Sequence, residues 1–200
     1  WWGHEYPLGR AIYSGVFHAI SAFCNAGFGL LPDSLVQFQT DKILLIAVAL
    51  LIVAGGLGFL VHYNVGTIDF WRRGRRKRGR LSLHSRLVLI TTGILVIAGT
   101  IAFYALERTN TLAGLSPGDR IVCSLFQSIT PRTAGFNVVD MANLHPATLF
   151  LTMFLMFIGG SPGSTAGGIK TTTFVILLLT IGAMMRGRTD TEMGHRTIPA

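Results

Sequence analysis

Two segments of this 200-residue sequence carry the same residue types in the same order, at residues 17–33 and 126–140. Each begins with an aromatic residue and a short polar and apolar run, continues to Ala-Gly-Phe, and ends at an aspartate. Each is followed by an apolar stretch that contains a Gly-Gly pair. Duplication of a short half-helix and a glycine loop within one chain predicts a repeated structural unit. The chemistry that such a unit predicts is the binding of a cation by backbone carbonyl groups.

A half-helix that enters a membrane and stops at small residues directs its carbonyl end, which carries partial negative charge, into the bilayer. Glycine permits a positive φ, so the carbonyl groups of successive residues can face one axis and replace the water shell of an ion. We therefore predict a monovalent cation as the substrate. The predicted ligands are the carbonyl groups of Asn25, Ala26, Gly27 and Phe28 in one loop and of Thr133, Ala134, Gly135 and Phe136 in the other. The two phenylalanine side chains are expected to wedge these loops against their scaffold.

Other sites that these residue types could form fit the sequence less well. A single Ala-Gly-Phe would be read as a turn with a packed aromatic residue, but two copies in matched surroundings favour the ion loop. Residues 159–163 (GGSPG) imitate the nucleophile elbow of a hydrolase, yet Pro162 has no N–H for an oxyanion hole. Residues 163–171 imitate a phosphate-binding loop, but Ile169 separates the glycine from the lysine. No catalytic residues, cofactor or disulfide framework are predicted.

The composition places the chain among membrane proteins. Its mean hydropathy is +0.53, only 13% of its residues are charged, and its net charge is +8. Seven of the seventeen basic residues lie in Trp71–Arg80, between apolar stretches, so this charge indicates membrane topology rather than nucleic-acid binding. Contact of the basic run with anionic lipid headgroups is the alternative.

Three apolar regions must position the two loops. Residues 43–61 and 87–106 are each just long enough to cross a hydrocarbon core of about 30 Å. The third region, residues 147–185, would form a helix of ~58 Å if it were straight, and residues 159–173 in its middle are small and polar. A break is therefore predicted there, facing protein or a water-filled cavity.

The basic run predicts which side of the membrane each region faces. Lys and Arg favour the cytoplasm, so the end of the first span and the start of the second are expected inside. The third region then runs inward, and Arg186 and Arg188, which follow it, agree. Residues 1–40 and 107–146 are expected to be external or re-entrant, which puts the N-terminal end of the chain outside and its C-terminus in the cytoplasm.

Residues 21–35 (SAFCNAGFGLLPDSL), 128–144 (SITPRTAGFNVVDMANL) and 156–173 (MFIGGSPGSTAGGIKTTT) resemble the third and fourth pore units of the Trk/Ktr/HKT potassium transporter superfamily, most closely its KtrB- and TrkH-like subunits. The resemblance implies an all-α membrane protein built from repeated helix–pore-loop–helix units around a central pore. Two of an expected four units are present, and the first is incomplete. Gly27 and Gly135 would be two of four filter glycines.

The resemblance also implies function, partners and a gate. The expected activity is potassium uptake across the plasma membrane, with sodium as a possible coupling ion, in a homodimer that binds a cytosolic nucleotide-binding regulatory subunit of the KtrA/TrkA type. Gly55, Gly56 and Gly58 would form an intramembrane gating loop, and close helix packing through small residues is the alternative. Lys170 lies at membrane depth, where an ionisable group suggests a functional role or else extends to the interface.

These expectations divide the chain into four parts. Residues 1–70 form the third pore repeat without its outer helix, and residues 71–86 form a basic cytoplasmic loop. Residues 87–188 form the fourth repeat, and residues 189–200 form a cytoplasmic C-terminal segment. A structural or adaptor membrane protein without transport is the competing interpretation, and cation flux through the intact subunit separates the two.

Overall fold

The structure is a computed structural model that describes residues 7–66, 81–186, 191–193 and 196–198. The basic run of residues 71–80 lies outside the described residues. Within these described ranges the fold consists of seven α-helices joined by loops, two one-turn 3₁₀ helices (Val36–Phe38 and Met141–Asn143) and a short hairpin. The helices are α1 (Leu8–Phe23), α2 (Lys42–Leu57), α3 (Phe59–Gly66), α4 (Leu83–Glu107), α5 (Pro117–Ile129), α6 (Pro146–Phe157) and α7 (Thr171–Met185).

The hairpin follows α7. Its strands β1 (Thr191–Met193) and β2 (Arg196–Ile198) are antiparallel, with Thr191 opposite Ile198. The membrane part of the chain is helical throughout the described residues, so the predicted all-α class is confirmed, and this small hairpin is an addition that the sequence did not reveal.

Local signals explain where several helices begin. Asp41 caps α2 by accepting a hydrogen bond from the backbone N–H of Leu44 at 3.1 Å. Ser82 caps α4, so this helix begins four residues before the predicted span. Both α5 and α6 start with a proline, whose fixed φ and missing N–H suit the first helical position. Short polar caps and prolines therefore separate long apolar helices.

One helix of the described residues, α4, is long and apolar enough to cross a membrane by itself. The first predicted span, residues 43–61, is not straight. Helices α2 and α3 meet at Gly58 with a bend of 97°, and Gly58 has a φ of 81°. Such a conformation costs an L-residue with a side chain 1 to 2 kcal/mol, roughly, but is open to glycine. The predicted interruption of this span is therefore a sharp turn at its last glycine.

The third predicted region is broken, as expected, between α6 and α7. Residues 158–170, called the junction segment below, form a loop whose two ends pair. The N–H of Gly159 donates to the carbonyl of Ile169 at 3.0 Å, and the N–H of Ile169 donates to that of Phe157 at 3.2 Å. This pairing satisfies backbone groups that a broken helix would otherwise leave exposed to hydrocarbon.

The two half-helices, α1 and α5, pack against α2, and α5 also packs against the long helix α4. The ammonium of Lys42, at the start of α2, is 3.3 Å from the carboxylate of Asp119 in the first turn of α5. The hydroxyl of Ser116, and then Lys42, lower the pKa of Asp119 below its usual range. The ion pair therefore joins the two repeats at the ends of their helices.

Candidate filter loops and the segment that supports them

The two predicted filter loops have the same backbone conformation. Asn25 and Gly27 have φ values of 51° and 74°, and the matching Thr133 and Gly135 have values of 71° and 79°. Positive φ at alternate residues turns neighbouring carbonyl groups away from the helical or extended arrangement. Two loops with one unusual conformation at corresponding positions show that the sequence repeat is also a structural repeat.

Each loop returns to the end of its own half-helix. The N–H of Ala26 donates to the carbonyl of Ser21 at 2.9 Å, and the N–H of Ala134 donates to the carbonyl of Thr130 at 2.9 Å. The carbonyl end of each half-helix thus lies directly at its loop. The partial negative charge of both helix ends is concentrated where the sequence predicts a cation.

A hydroxyl group braces the end of each loop in the same way. Ser21 Oγ donates to the carbonyl of Phe28 at 2.8 Å, and Thr130 Oγ1 donates to the carbonyl of Phe136 at 2.6 Å. These bonds fix the orientation of both carbonyl groups. Because a carbonyl oxygen has two lone pairs, each retains one for a further ligand.

The two glycines lie against each other. A Cβ on Gly27 would be 2.6 Å from the carbonyl oxygen of Ala134, and a Cβ on Gly135 would be 3.2 Å from the Cα of Gly27. The carbonyl of Ala134 therefore faces the space between the loops. No side chain fits between them, so the surface that they share is made of backbone.

The two phenylalanines differ in their surroundings. Phe136 is fully buried and holds the second loop against the core, as predicted. Phe28 is 70% exposed, so the predicted wedge is absent from the first loop within the described residues. An apolar cavity of about 540 Å³ lies between α1 and α2 and is lined by residues of both helices and by Leu35.

The predicted gating glycines have distinct roles. Gly55 and Gly56 are helical, and a Cβ on Gly55 would be 1.8 Å from the carbonyl oxygen of Phe23 at the end of α1. Gly58 makes the 97° turn, and a Cβ there would be 2.7 Å from the carbonyl oxygen of Pro162. Close packing and a bend in the helix therefore occur together at residues 55–58, called the glycine segment below.

The junction segment holds the glycine segment in place. The N–H of Ser161 donates to the carbonyl of Gly56 at 3.0 Å, and its hydroxyl donates to the carbonyls of Gly56 and Leu57. The N–H of Phe59 donates to the carbonyl of Gly163 at 3.2 Å. The serine that imitates a hydrolase nucleophile is thus fully buried, and its hydroxyl binds backbone carbonyl groups.

Both filter loops also rest on the junction segment. Thr165 Oγ1 donates to the carbonyl of Phe23 at 3.0 Å and lies 3.3 Å from the side-chain amide of Asn25. The N–H of Gly167 donates to Thr133 Oγ1 at 3.1 Å. One short segment therefore contacts the first loop, the second loop and the glycine segment.

Two basic side chains bind carbonyl groups of the junction segment. The ammonium of Lys170 donates to the carbonyl of Ala166 at 2.7 Å. The guanidinium of Arg132, beside the second filter loop, donates to the carbonyl of Gly159 at 3.0 Å and is largely buried. Sequence reasoning identified Lys170 but not Arg132, although an arginine next to the second glycine loop could have signalled it.

Sequence reasoning also missed the environment of Glu107, because in the sequence this residue only follows the end of an apolar span. Its carboxylate is fully buried and accepts bonds from the side chain of Asn110 at 2.9 Å and the hydroxyl of Thr111 at 2.9 Å. It accepts two more from the N–H of His145 at 2.9 Å and the hydroxyl of Thr148 at 2.5 Å. Glu107 thereby fixes the chain before α5 to the start of α6.

Comparison with known proteins agrees with this architecture. The profile of a family described as "TrkH: Cation transport protein" matches residues 6–197. The chain is 45% identical over 195 residues to the potassium/sodium uptake protein NtpJ of Enterococcus hirae, covering 97% of this chain and 42% of that protein. It is 38% identical over 196 residues to the Ktr system potassium uptake protein B of Bacillus subtilis, again covering 97% and 42%.

The fold is also found among solved structures. The potassium transporter TrkH from Vibrio parahaemolyticus superposes with a TM-score of 0.74 at 19% identity, covering 94% of this chain and 39% of that one. The chain therefore spans about two fifths of the length of these relatives.

Proposed function

Because this chain belongs to the TrkH family of cation transport proteins, a family of membrane proteins, we propose that the protein containing it takes up potassium across the plasma membrane. The observation that carries the proposal is the pair of loops with matched positive φ, each at the carbonyl end of its own half-helix. Carbonyl groups arranged around an axis replace the hydration shell of a monovalent cation. Relatives named for potassium or for potassium and sodium uptake support this choice of ion.

Uptake of potassium and sodium into vesicles that contain the purified full-length protein tests the proposal. We expect potassium uptake that exceeds the leak of protein-free vesicles. Uptake at the level of the leak for both ions would favour a structural or adaptor role instead.

We further propose that the pore is completed by two more repeats outside this chain, since two loops surround only part of an axis. The full protein would act as a homodimer with a cytosolic nucleotide-binding subunit of the KtrA/TrkA type, with sodium as a possible coupling ion. The exposed apolar face of α1 supports the proposal of two more repeats, because an apolar surface of this extent is normally covered by lipid or protein.

The proposed topology puts the N-terminal end of the chain outside and residues 71–80 in the cytoplasm. A cysteine introduced at Arg76 should resist an impermeant thiol reagent applied to intact cells, whereas one at Gly114 should react. Gly114 is exposed in the loop after α4, so the reagent can reach it. Labelling is compared with the unmodified protein, because Cys24 is itself exposed.

The buried Leu112, in the same loop, offers a matched control. A cysteine there should react more slowly than one at Gly114, although both lie on the same side of the membrane. Rapid labelling at Arg76 together with none at Gly114 would reverse the topology.

We propose that the glycine segment (residues 55–58) and Lys170 form one barrier below the filter. The support is the junction segment, which binds the glycine segment through Ser161 and Lys170 through Ala166. A positive charge beside the ion path raises the energy of a passing cation, and about 1.4 kcal/mol of such repulsion corresponds to a roughly tenfold change in rate.

Lys170→Gln should therefore increase potassium flux by up to about tenfold. Ser161→Ala removes the hydroxyl that binds the carbonyls of Gly56 and Leu57, while the backbone N–H of residue 161 keeps its bond to Gly56, and this change should also increase the flux. If both changes act on one barrier, the double variant gains less than the sum of the two single gains in free energy. Flux through vesicles is measured for all four proteins, with Lys42→Gln as a control outside this region. Full additivity, or reduced flux in Lys170→Gln, would refute the shared barrier.

A further inference from the structure

His18 lies in α1 at the position that Gln127 occupies in α5. Each follows the phenylalanine that begins its repeat, Phe17 or Phe126, and each is buried. Both side chains point to the region behind a filter loop, where few polar groups are expected unless they have partners. We infer the role of His18 from its hydrogen bonds and its ring contact.

Two hydrogen bonds orient the imidazole ring of His18. Nδ1 is 2.8 Å from the carbonyl oxygen of Ser14, and Nε2 is 3.3 Å from the backbone nitrogen of Leu30. A carbonyl can only accept and a backbone N–H can only donate, so in this geometry Nδ1 is the donor and Nε2 is the acceptor. His18 thereby connects its own helix to the chain that leaves the first filter loop.

The bond to Leu30 reinforces a second one from the same helix face. Ser21, three residues after His18, donates to the carbonyl of Phe28, two residues before Leu30. Residues three apart on a helix lie side by side. The chain that leaves the first loop is thus bound at two successive points by α1.

The imidazole also touches the second loop. Its ring centroid is 6.3 Å from that of Phe136, the buried aromatic residue of that loop. A single side chain therefore contacts both loops, one through a hydrogen bond and the other through ring packing. Its displacement would change the spacing between Gly27 and Gly135, which already lie in backbone contact.

We propose that His18 is a positioning residue for ion selectivity, which acts by holding the chain beyond Phe28 through an acceptor at Nε2. This inference rests on the proposed transport function. His18 does not contact the ion path in the structure; it determines where the first loop ends and how closely the second approaches it. An acceptor at the right distance is the property that matters, rather than an aromatic ring or a charge.

Three substitutions at His18 separate these properties. The amide oxygen of glutamine extends about as far as Nε2, so His18→Gln can still accept from the N–H of Leu30. The shorter His18→Asn reaches only the place of Nδ1, and His18→Leu supplies no acceptor. We expect His18→Gln to keep its potassium-over-sodium selectivity within about twofold. His18→Asn and His18→Leu should lose about tenfold, because the N–H of Leu30 loses its partner.

Selectivity is measured as the ratio of potassium to sodium uptake by the full-length protein in vesicles, normalised to the amount of folded protein. Equal losses in His18→Gln and His18→Leu, or no loss in His18→Asn, would overturn the inference. Absence of potassium uptake by the unmodified protein would instead refute the proposed function. Every variant is compared with the potassium uptake of the unmodified protein. A failure of the inference about His18 and a failure of the proposed function therefore give different results.

A second measurement tests the inference even if His18→Asn and His18→Leu do not fold. Nitrogen NMR of the full-length protein labelled only at histidine reports which ring nitrogen carries the proton. The resonance of His18 is assigned by its absence from the His18→Gln spectrum. We expect a neutral ring protonated at Nδ1, and a ring protonated at Nε2 would overturn the inference.

Discussion

Replacement of Gly135 by serine in the full-length protein is expected to lower its selectivity for potassium over sodium by about tenfold. Its φ of 79° is one that residues with a side chain rarely adopt, so the loop must change its conformation to accept serine. The new Cβ would also lie 3.2 Å from the Cα of Gly27, so the two loops must separate. Wider spacing weakens the coordination of an ion by both loops at once. Competing uptake of the two ions in vesicles measures the effect.

The matching change, Gly27→Ser, should have an effect at least as large. Its Cβ would meet the carbonyl oxygen of Ala134 at 2.6 Å, which forces that oxygen out of position. Gly114→Ala is the control, since a Cβ there meets nothing within 4 Å and its φ is not positive. Unchanged selectivity in both serine variants would remove the two glycines from the filter.

Loss of the Glu107 carboxylate should destabilise the protein by about 3 to 5 kcal/mol. Glu107→Ala leaves the donors of Asn110, Thr111, His145 and Thr148 without their acceptor inside the protein. A buried donor without an acceptor loses its hydration free energy, which applies most strongly to the fully buried hydroxyl of Thr148, whereas the amide of Asn110 keeps the carbonyl of Asn143 as an acceptor. The expected result is a lower temperature of thermal unfolding for the detergent-solubilised protein, compared at one scan rate.

A graded series tests the cause of this effect. Glu107→Gln keeps one acceptor oxygen and should fall between the unmodified protein and Glu107→Ala. Asp140→Asn is the control, because Asp140 binds Ala142 and Asn143 through exposed bonds at the start of a 3₁₀ helix. A Glu107→Ala protein that unfolds at the temperature of the control would show that water replaces the carboxylate.

The matched backbone conformation of the two candidate filter loops could be predicted from the sequence because the duplication itself is a signal. Glycine at positions 27 and 135 indicated a positive φ, and the structure has it. The positive φ of Thr133 could not be foreseen, since a β-branched side chain disfavours that conformation in isolation. Its hydroxyl accepts from Gly167, a contact between residues 34 positions apart that local propensity does not contain.

The bend in the first predicted span shows a different limit. Three glycines within four residues indicated a break, but their order does not tell which one turns the chain. Gly55 remains helical because it must let the end of α1 approach, and only Gly58 adopts a positive φ. The position of the bend is therefore decided by packing between segments far apart in the sequence.

Glu107 illustrates the same limit for polar residues. A glutamate followed by an arginine at the end of an apolar run is typical of a helix that reaches the membrane surface. Burial of its carboxylate depends on His145 and Thr148, about 40 residues further along the chain. Hydropathy alone cannot distinguish a charged residue at a surface from one inside a hydrogen-bonded network.

The junction segment has a consequence for how such a protein can change during evolution or in the laboratory. Repeated units suggest parts that could be exchanged between related transporters. Here, however, the last repeat supplies Ser161 and Thr165, which bind the glycine segment and the end of the half-helix in the repeat before it. A chimera joined at residues 71–80 would combine donors from one transporter with acceptors from another. We therefore expect that successful exchanges carry both repeats together.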